Sequence, residues 1–140
     1  LNSITMSKQV FINLPVKDLQ KSMAFYEAMG FTNNPQFTDE TAACMVWSDN
    51  IFVMLLTHEK FKHFIGKSII DGEKTVGVIN ALSVENTTEV NAFMKRAIAA
   101  GGNEYAEAKD FGFMLQRSVE DLDGNNWEVF YMDMSKFPKQ

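Results

Sequence analysis

Two stretches of this chain share one pattern of apolar and polar positions. Val10–Phe31 reads VFINLPVKDLQKSMAFYEAMGF, and Val78–Gly102 reads VINALSVENTTEVNAFMKRAIAAGG. With Val16 set against Val84, each stretch opens on period-two alternation, changes to helical spacing at Asp18 or Asn86, brings Phe25 onto Phe93 and stops at glycine. In the first helix Asp18 is the N-cap, Leu19, Met23, Tyr26 and Met29 form the apolar face, and Gly30 ends the element. In the second, Asn86 is the cap and Glu89 takes the capping-box position. Val90, Phe93, Met94, Ala97 and Ile98 make its stripe before Gly101 and Gly102.

Extended segments follow each helix. Gln36–Glu40 is a weak strand, while Thr41–Trp47 and Ile51–Thr57 are strong ones joined at Ser48-Asp49-Asn50. In the second half Asn103–Ala108 is weak, and Gly112–Val119 and Asn125–Met132 are joined by Asp121-Leu122-Asp123-Gly124. Each half thus reads β-α-β-β-β, an α+β arrangement. The rival, a ferredoxin-like β-α-β-β-α-β sandwich, is decided by counting strands after the first helix. The expected organisation is a disordered N-terminus at 1–7, with Leu1–Thr5 a non-native leader ahead of Met6. A first module at 8–58, a polar linker at 59–75, a second module at 76–133 and a tail at 134–140 follow.

Alternation gives the first strand two faces. Val10, Ile12, Leu14 and Val16 point under the helix, and Phe11, Asn13 and Pro15 point away. Val78, Asn80, Leu82 and Val84 match the helix side of the second half, and Ile79, Ala81 and Ser83 the other. A two-residue turn at Asp49-Asn50 sets Leu55 opposite Cys44 and Val53 opposite Val46. Both faces of that hairpin are apolar, so its sheet is expected to be covered on one side and curved around something on the other.

Composition narrows the field. The 140 residues, 46% hydrophobic and 22% charged, suit one domain or two half-domains sharing a core. Twelve Phe exclude disorder as the main state. No apolar run approaches the ~18 residues of a membrane span, and LNSITMSKQ is not read as a signal peptide. Cys44 is the sole cysteine, so no internal disulfide forms and a cytoplasmic protein is expected. The net charge of −5 argues against nucleic acid as a partner. Lys60, Lys62 and Lys67 are diluted by Glu59 and Asp71 and read as a solvated loop. Nine Met beside twelve Phe fit either a Met-rich core or a greasy, adaptable pocket.

LPVKDLQKSMAFYEAMGF after the first strand and EDLDGNNWEVF near the end resemble the vicinal oxygen chelate superfamily. This group holds glyoxalases, extradiol dioxygenases, and fosfomycin and bleomycin resistance proteins. The second motif resembles the family's D-P-D-G-N-x-x-E ending, with Leu122 in place of proline. FINLPVKDLQKSMAFYEAMGF and NIFVMLLTHEKF look most like bacterial proteins described as lactoylglutathione lyases. The resemblance implies two βαβββ modules whose mixed sheets curl into a cup with helices outside, and a homodimer. Metal-dependent members place one ligand on each of four strands facing into the cup. Carried onto this sequence, those positions are Phe11, Leu55, Ile79 and Glu128, and only Glu128 is a donor. Phe, Leu and Ile supply none of the oxygen or nitrogen donors a divalent ion needs. The resemblance therefore implies the scaffold without the usual metal site, and no cofactor is expected.

Glu128 is the candidate catalytic residue, or a ligand-orienting one. Inside a cup it needs a partner, or its pKa rises. If Asp121–Gly124 is a four-residue loop, Arg117 falls opposite Glu128; a one-residue slip puts Ser118 there and turns Gln116 inward instead. Phe11, Asn13, Cys44, Val53, Leu55, Ile79, Arg117 and Glu128 are the candidate ligand-binding residues. Tyr26 and Trp127 are assigned to packing. Cys44 reads as a buried hydrophobe; as a nucleophile it would lack a base. His58 and His63 stand five apart, not the four of a zinc-protease helix, and Gly66-Lys67-Ser68 lacks the earlier glycine of a phosphate loop. The leading expectation is a protein that holds a small apolar or aromatic molecule without a metal. A metal-dependent lyase or dioxygenase with a divalent ion and non-standard ligands, and a structural dimer with a filled cup, are the alternatives.

Overall fold

The computed structural model describes residues 8–138, so the expectations for 1–7 and for the last two residues of the tail lie outside the described residues. The first module runs β1 (Val10–Val16), α1 (Leu19–Met29), β2 (Thr32–Asn34), β3 (Ala42–Ser48) and β4 (Ile51–Thr57). A short helix, α2 (His58–Phe64), follows. The second module runs β5 (Ile79–Ser83), α3 (Thr87–Ala99), β6 (Lys109–Asp110), β7 (Met114–Glu120) and β8 (Asn126–Met132). Three strands follow α1 before the linker, which excludes the ferredoxin-like order. The architecture is α+β, two mixed four-stranded sheets ordered β1-β4-β3-β2 (sheet A) and β5-β8-β7-β6 (sheet B). Among the described residues no helix is long and apolar enough to cross a membrane.

Local sequence sets the helices as anticipated. Asp18 accepts from the Lys21 amide at 3.1 Å, and Gly30 takes φ +116°, which closes α1. Asn86 accepts from the Glu89 amide at 2.8 Å, but the Glu89 carboxylate takes the Glu85 amide, one residue ahead of the usual box partner. The apolar stripes shift slightly. Phe25 is buried where Met23 is only partly so, and Ile98 is exposed. The weak strands shrink: residues 35–37 form a 3-10 turn after β2, and Asn103 contributes only a bridge to Glu120.

Two registers depart from expectation. In β3 the pairing shifts between Val46 and Ser48, so Trp47 is an extra, bulged residue. A bulge moves every later pair by one and turns side chains to the other face. Cys44 therefore opposes Met54 and Val46 opposes Phe52, while Leu55 opposes Ala43 and Val53 opposes Met45. In the second hairpin Glu120 pairs with Asn126, leaving 121–125 as the loop, one residue longer than the expected four. Ser118, not Arg117, then opposes Glu128.

The two modules meet through their helices. α1 packs on sheet A, α3 on sheet B, and the helices pack on each other. Trp47 of sheet A meets Phe93 of α3 at 5.9 Å between ring centroids, and Tyr26 of α1 meets Trp127 of sheet B at 6.0 Å. Arg96 of α3 donates to the Ala28 carbonyl at 3.0 Å. The helix-covered faces of both sheets thus converge on one layer, and their other faces point outward from it. β1 and β5 are both sheet edges.

At the junction Tyr26 donates to Asp121 Oδ2 at 2.6 Å and accepts from Trp127 Nε1 at 2.9 Å. The Lys17 amide donates to Asp123 at 2.9 Å. Tyr26 and Trp127 do pack under the helices, and their polar ends find partners there, as buried polar groups must.

Candidate functional site

The outward face of sheet A is built by the odd positions of β1 and the positions they meet on β4 and β3. Phe11 neighbours Phe52, and Asn13 neighbours Met54, which faces Cys44. Phe11 and Phe52 stack with ring centroids 4.6 Å apart and planes 9° from parallel, and Phe11 remains 51% exposed. Cys44 is buried on this face, and burial pushes its thiol above its ordinary pKa. A protonated thiol with no histidine beside it in the sheet register is a small hydrophobe, not a nucleophile. Asn13 donates to its own strand at the Phe11 carbonyl, 3.2 Å away, and keeps its side-chain oxygen for another donor.

The outward face of sheet B carries Ile79, Ala81, Gln116, Ser118, Glu128 and Phe130. Glu128 is half-buried beside Ala81 and Ser118 and forms no salt bridge among the described residues.

Three of the expected site residues lie elsewhere. Val53 and Leu55 are fully buried in the core beneath α1, because they pair with Ile12 and Leu14 on the helix side of β1. Arg117 lies on the helix side of sheet B. Its guanidinium grips Glu104 with two hydrogen bonds of 2.8 and 2.9 Å and reaches Asn91 of α3 at 3.0 Å. The Glu104 carboxylate raises the Arg117 pKa further. Arg117→Ala is expected to lower stability by about 1 kcal/mol in urea melts, the range for a half-exposed bidentate pair, and to leave ligand binding unchanged.

The expected meeting of Phe11, Leu55, Ile79 and Glu128 in one hollow therefore does not occur within a single chain. Phe11 faces out from sheet A, Ile79 and Glu128 from sheet B, and Leu55 into the core. The outward β4 positions are Phe52, Met54 and Leu56, which bring no oxygen or nitrogen donor. No cluster of three His, Cys, Asp or Glu side chains suited to a metal ion occurs among the described residues, His58 and His63 of α2 included. Phe11, Ile79 and the outward β4 positions leave Glu128 as the sole donor of the expected set, which does not fit a divalent ion.

One structural element was missed in the sequence. The expected linker begins with α2, capped by Thr57, whose side chain accepts from the Lys60 amide at 3.2 Å. α2 lies against β1 and β4, and a cavity of about 420 Å³ there is lined by Asn13, Leu56, Phe61, Phe64 and Ile65. The apolar spacing Phe61, Phe64, Ile65 inside a polar stretch was the available signal.

Comparison with known proteins agrees with this geometry. Residues 8–48 match the family model of the bleomycin resistance protein-like N-terminal segment. Among solved structures, a hypothetical protein from S. aureus is 26% identical with a TM-score of 0.75, over 91% of this chain and 95% of that one. A glyoxalase-related enzyme from Fulvimarina pelagi is 23% identical at TM-score 0.75, over 90% of this chain and 88% of the other. A glyoxalase/bleomycin resistance protein/dioxygenase family enzyme from Burkholderia phytofirmans PsJN is 16% identical at TM-score 0.73, over 90% and 99%. No curated protein matches the chain. The matched segment and the fold are what this chain shares with bleomycin resistance protein-like and glyoxalase-related proteins. To the solved structures the likeness is one of fold.

Proposed function

We propose that this protein binds a small apolar or aromatic molecule without a protein-held metal, in a cup that a second copy of the chain completes. The observation that carries the reading is the chemistry of the outward faces, hydrocarbon and stacked aromatic on sheet A and a lone carboxylate among apolar and neutral polar groups on sheet B. Phe11 and Phe52 offer a flat ring surface, Asn13 a hydrogen-bond acceptor, and Glu128 an acceptor for a ligand hydroxyl or amine. Among the described residues Glu128 has no salt-bridge partner, and its neighbours Ser118 and Gln116 are neutral donors only, so binding is favoured over catalysis. The dimer reading is supported by the edge strands β1 and β5, where Val10, Phe11 and Ile79, with Val78 just before β5, are all about half exposed or more. Uncovered apolar edges of this kind recruit another strand. Antiparallel pairing of β1 with the partner's β5 would bring the Phe11 face of one copy beside the Glu128 face of the other.

Calorimetry with 1-naphthol in the presence of EDTA tests the binding. Saturable binding is expected, weakened about tenfold by Phe11→Ala through loss of the ring contact. Binding that appears only on addition of Zn²⁺, Ni²⁺, Mn²⁺ or Fe²⁺ would overturn the reading in favour of a metal-dependent enzyme. Sedimentation equilibrium tests the second copy. A dimer is expected, and Ile79→Lys is expected to yield monomer.

A further inference from the structure

The cavity under α2 has a neighbour. A second cavity, of about 320 Å³, lies between the edge of β1, the segment after α2 and the start of β8. Its walls include Leu14, Ile70, Val76 and Val78, and polar groups enter from Asn80 and Asn126. The two cavities share three side chains, Asn13, Phe61 and Ile65. Two of these, Phe61 and Ile65, are apolar and line both. The third is the only polar side chain common to both, and its carboxamide oxygen has no partner among the described residues.

We infer that this paired groove is a binding site for an elongated, uncharged, mainly hydrocarbon molecule with one hydroxyl or amide donor, and that Phe61 sets the length it accepts. Each cavity alone is at the small end of the ~300–1,000 Å³ typical of ligand sites, so a long ligand must pass from one to the other. A ligand that occupies both must pass Phe61 and Ile65, which line each of them. A head group that donates to Asn13 Oδ1 at the junction leaves its chain to run into either space. The smaller cavity has Lys67 and no acidic side chain in its wall, and the cavity under α2 has no charged side chain, so neither calls for a cationic ligand. The inference rests on the ligand-binding reading only in taking the outward face of sheet A as a ligand surface.

The test is a titration of the full chain with straight-chain 1-alkanols of four to twelve carbons, followed by amide chemical shifts. Affinity is expected to rise about fourfold per added methylene until the groove is full. Phe61→Ala is expected to move that limit to longer chains, and Phe61→Trp to shorter ones. Asn13→Leu should weaken all the alcohols about fivefold without moving the limit, as loss of one hydrogen bond does. The two Phe61 variants act in opposite directions, so damage to α2 cannot imitate the result. An unmoved limit in both, or no saturable binding of any alcohol, overturns the inference. So do shift changes centred on Ser118 and Glu128 instead of Asn13 and Leu56, an outcome that leaves the cup reading intact. Failure of 1-naphthol with success of the alcohols would remove the cup reading and keep this site.

Discussion

Replacing Asp121 with alanine is expected to lower the unfolding free energy by about 3 kcal/mol. The Asp121 carboxylate accepts the Tyr26 hydroxyl, the amides of Asp123 and Asn125, and the Asn125 side chain, all within 2.9 Å. The residue is only 6% exposed, so water cannot take over these donors. Leaving several buried donors unpaired is the costly half of a lost hydrogen-bond network. Tyr26→Phe removes the link between Asp121 and Trp127 but leaves the loop donors paired, and about 1 kcal/mol is expected. Urea melts of the two variants should rank in that order; equal losses would show that the loop donors do not need the carboxylate.

The same group gives the protein a pH signature. Burial pushes the Asp121 carboxyl above its ordinary range, and the hydrogen bonds from Tyr26 and Asn125 pull it part of the way back. A carboxyl whose folded pKa exceeds its unfolded pKa binds its proton more tightly in the folded state. Its contribution is therefore fully present below the unfolded pKa and is lost as pH rises through the folded one. Wild type should lose stability relative to Asp121→Asn as pH climbs out of the ordinary carboxylate range. Asp39 and Asp133 have carboxyls lowered by hydrogen bonds from Thr41 and Ser135, so they act with the opposite sign at lower pH. A gap between wild type and Asp121→Asn that does not change with pH would contradict the assignment.

Gly124→Ala should produce the second large loss, about 2–4 kcal/mol. Gly124 has φ +82°, where a side chain costs about 1–2 kcal/mol by itself. A Cβ there would also run into the backbone carbonyl of Gly72, which cannot move aside as a side-chain tip can. Gly112 provides the control, because its φ is +80° but a Cβ would meet nothing within 4 Å. Gly112→Ala should show the conformational cost alone, about 1 kcal/mol. If thermal melts find the two substitutions equally harmful, the segment around Gly72 is not seated on the second hairpin.

The match between Val10–Phe31 and Val78–Gly102 was legible because it rests on short-range physics. Asp18, Asn86 and Gly30 act within one turn of the chain, and the two faces of β1 and β5 follow from alternation alone. Asn13 and Ile79 fall on outward faces for the same reason, whereas the place of Glu128 came from the resemblance. α2 was the exception among local elements, since its apolar positions are embedded in a charged stretch that reads as loop.

Register was where sequence reasoning failed. Nothing in Ser48-Asp49-Asn50 announces that Trp47 will bulge, because the bulge is set by where the indole packs, against Phe31 and Phe93 of distant segments. That one residue brought Met54 instead of Leu55 opposite Cys44, while the parallel pairing with Ile12 and Leu14 of β1 put Val53 and Leu55 in the core. The second hairpin gained a residue because Asp121 is held by Tyr26 across the module boundary, and this carried Arg117 to Glu104 and left Glu128 beside Ser118. The chain by itself determined α1, α3 and the strong strands, and which face of β1 and β5 is greasy. Only tertiary packing decided hairpin register and the back-to-back seating of the modules on their helices, because both depend on contacts between residues far apart in sequence, whose energies no local pattern encodes.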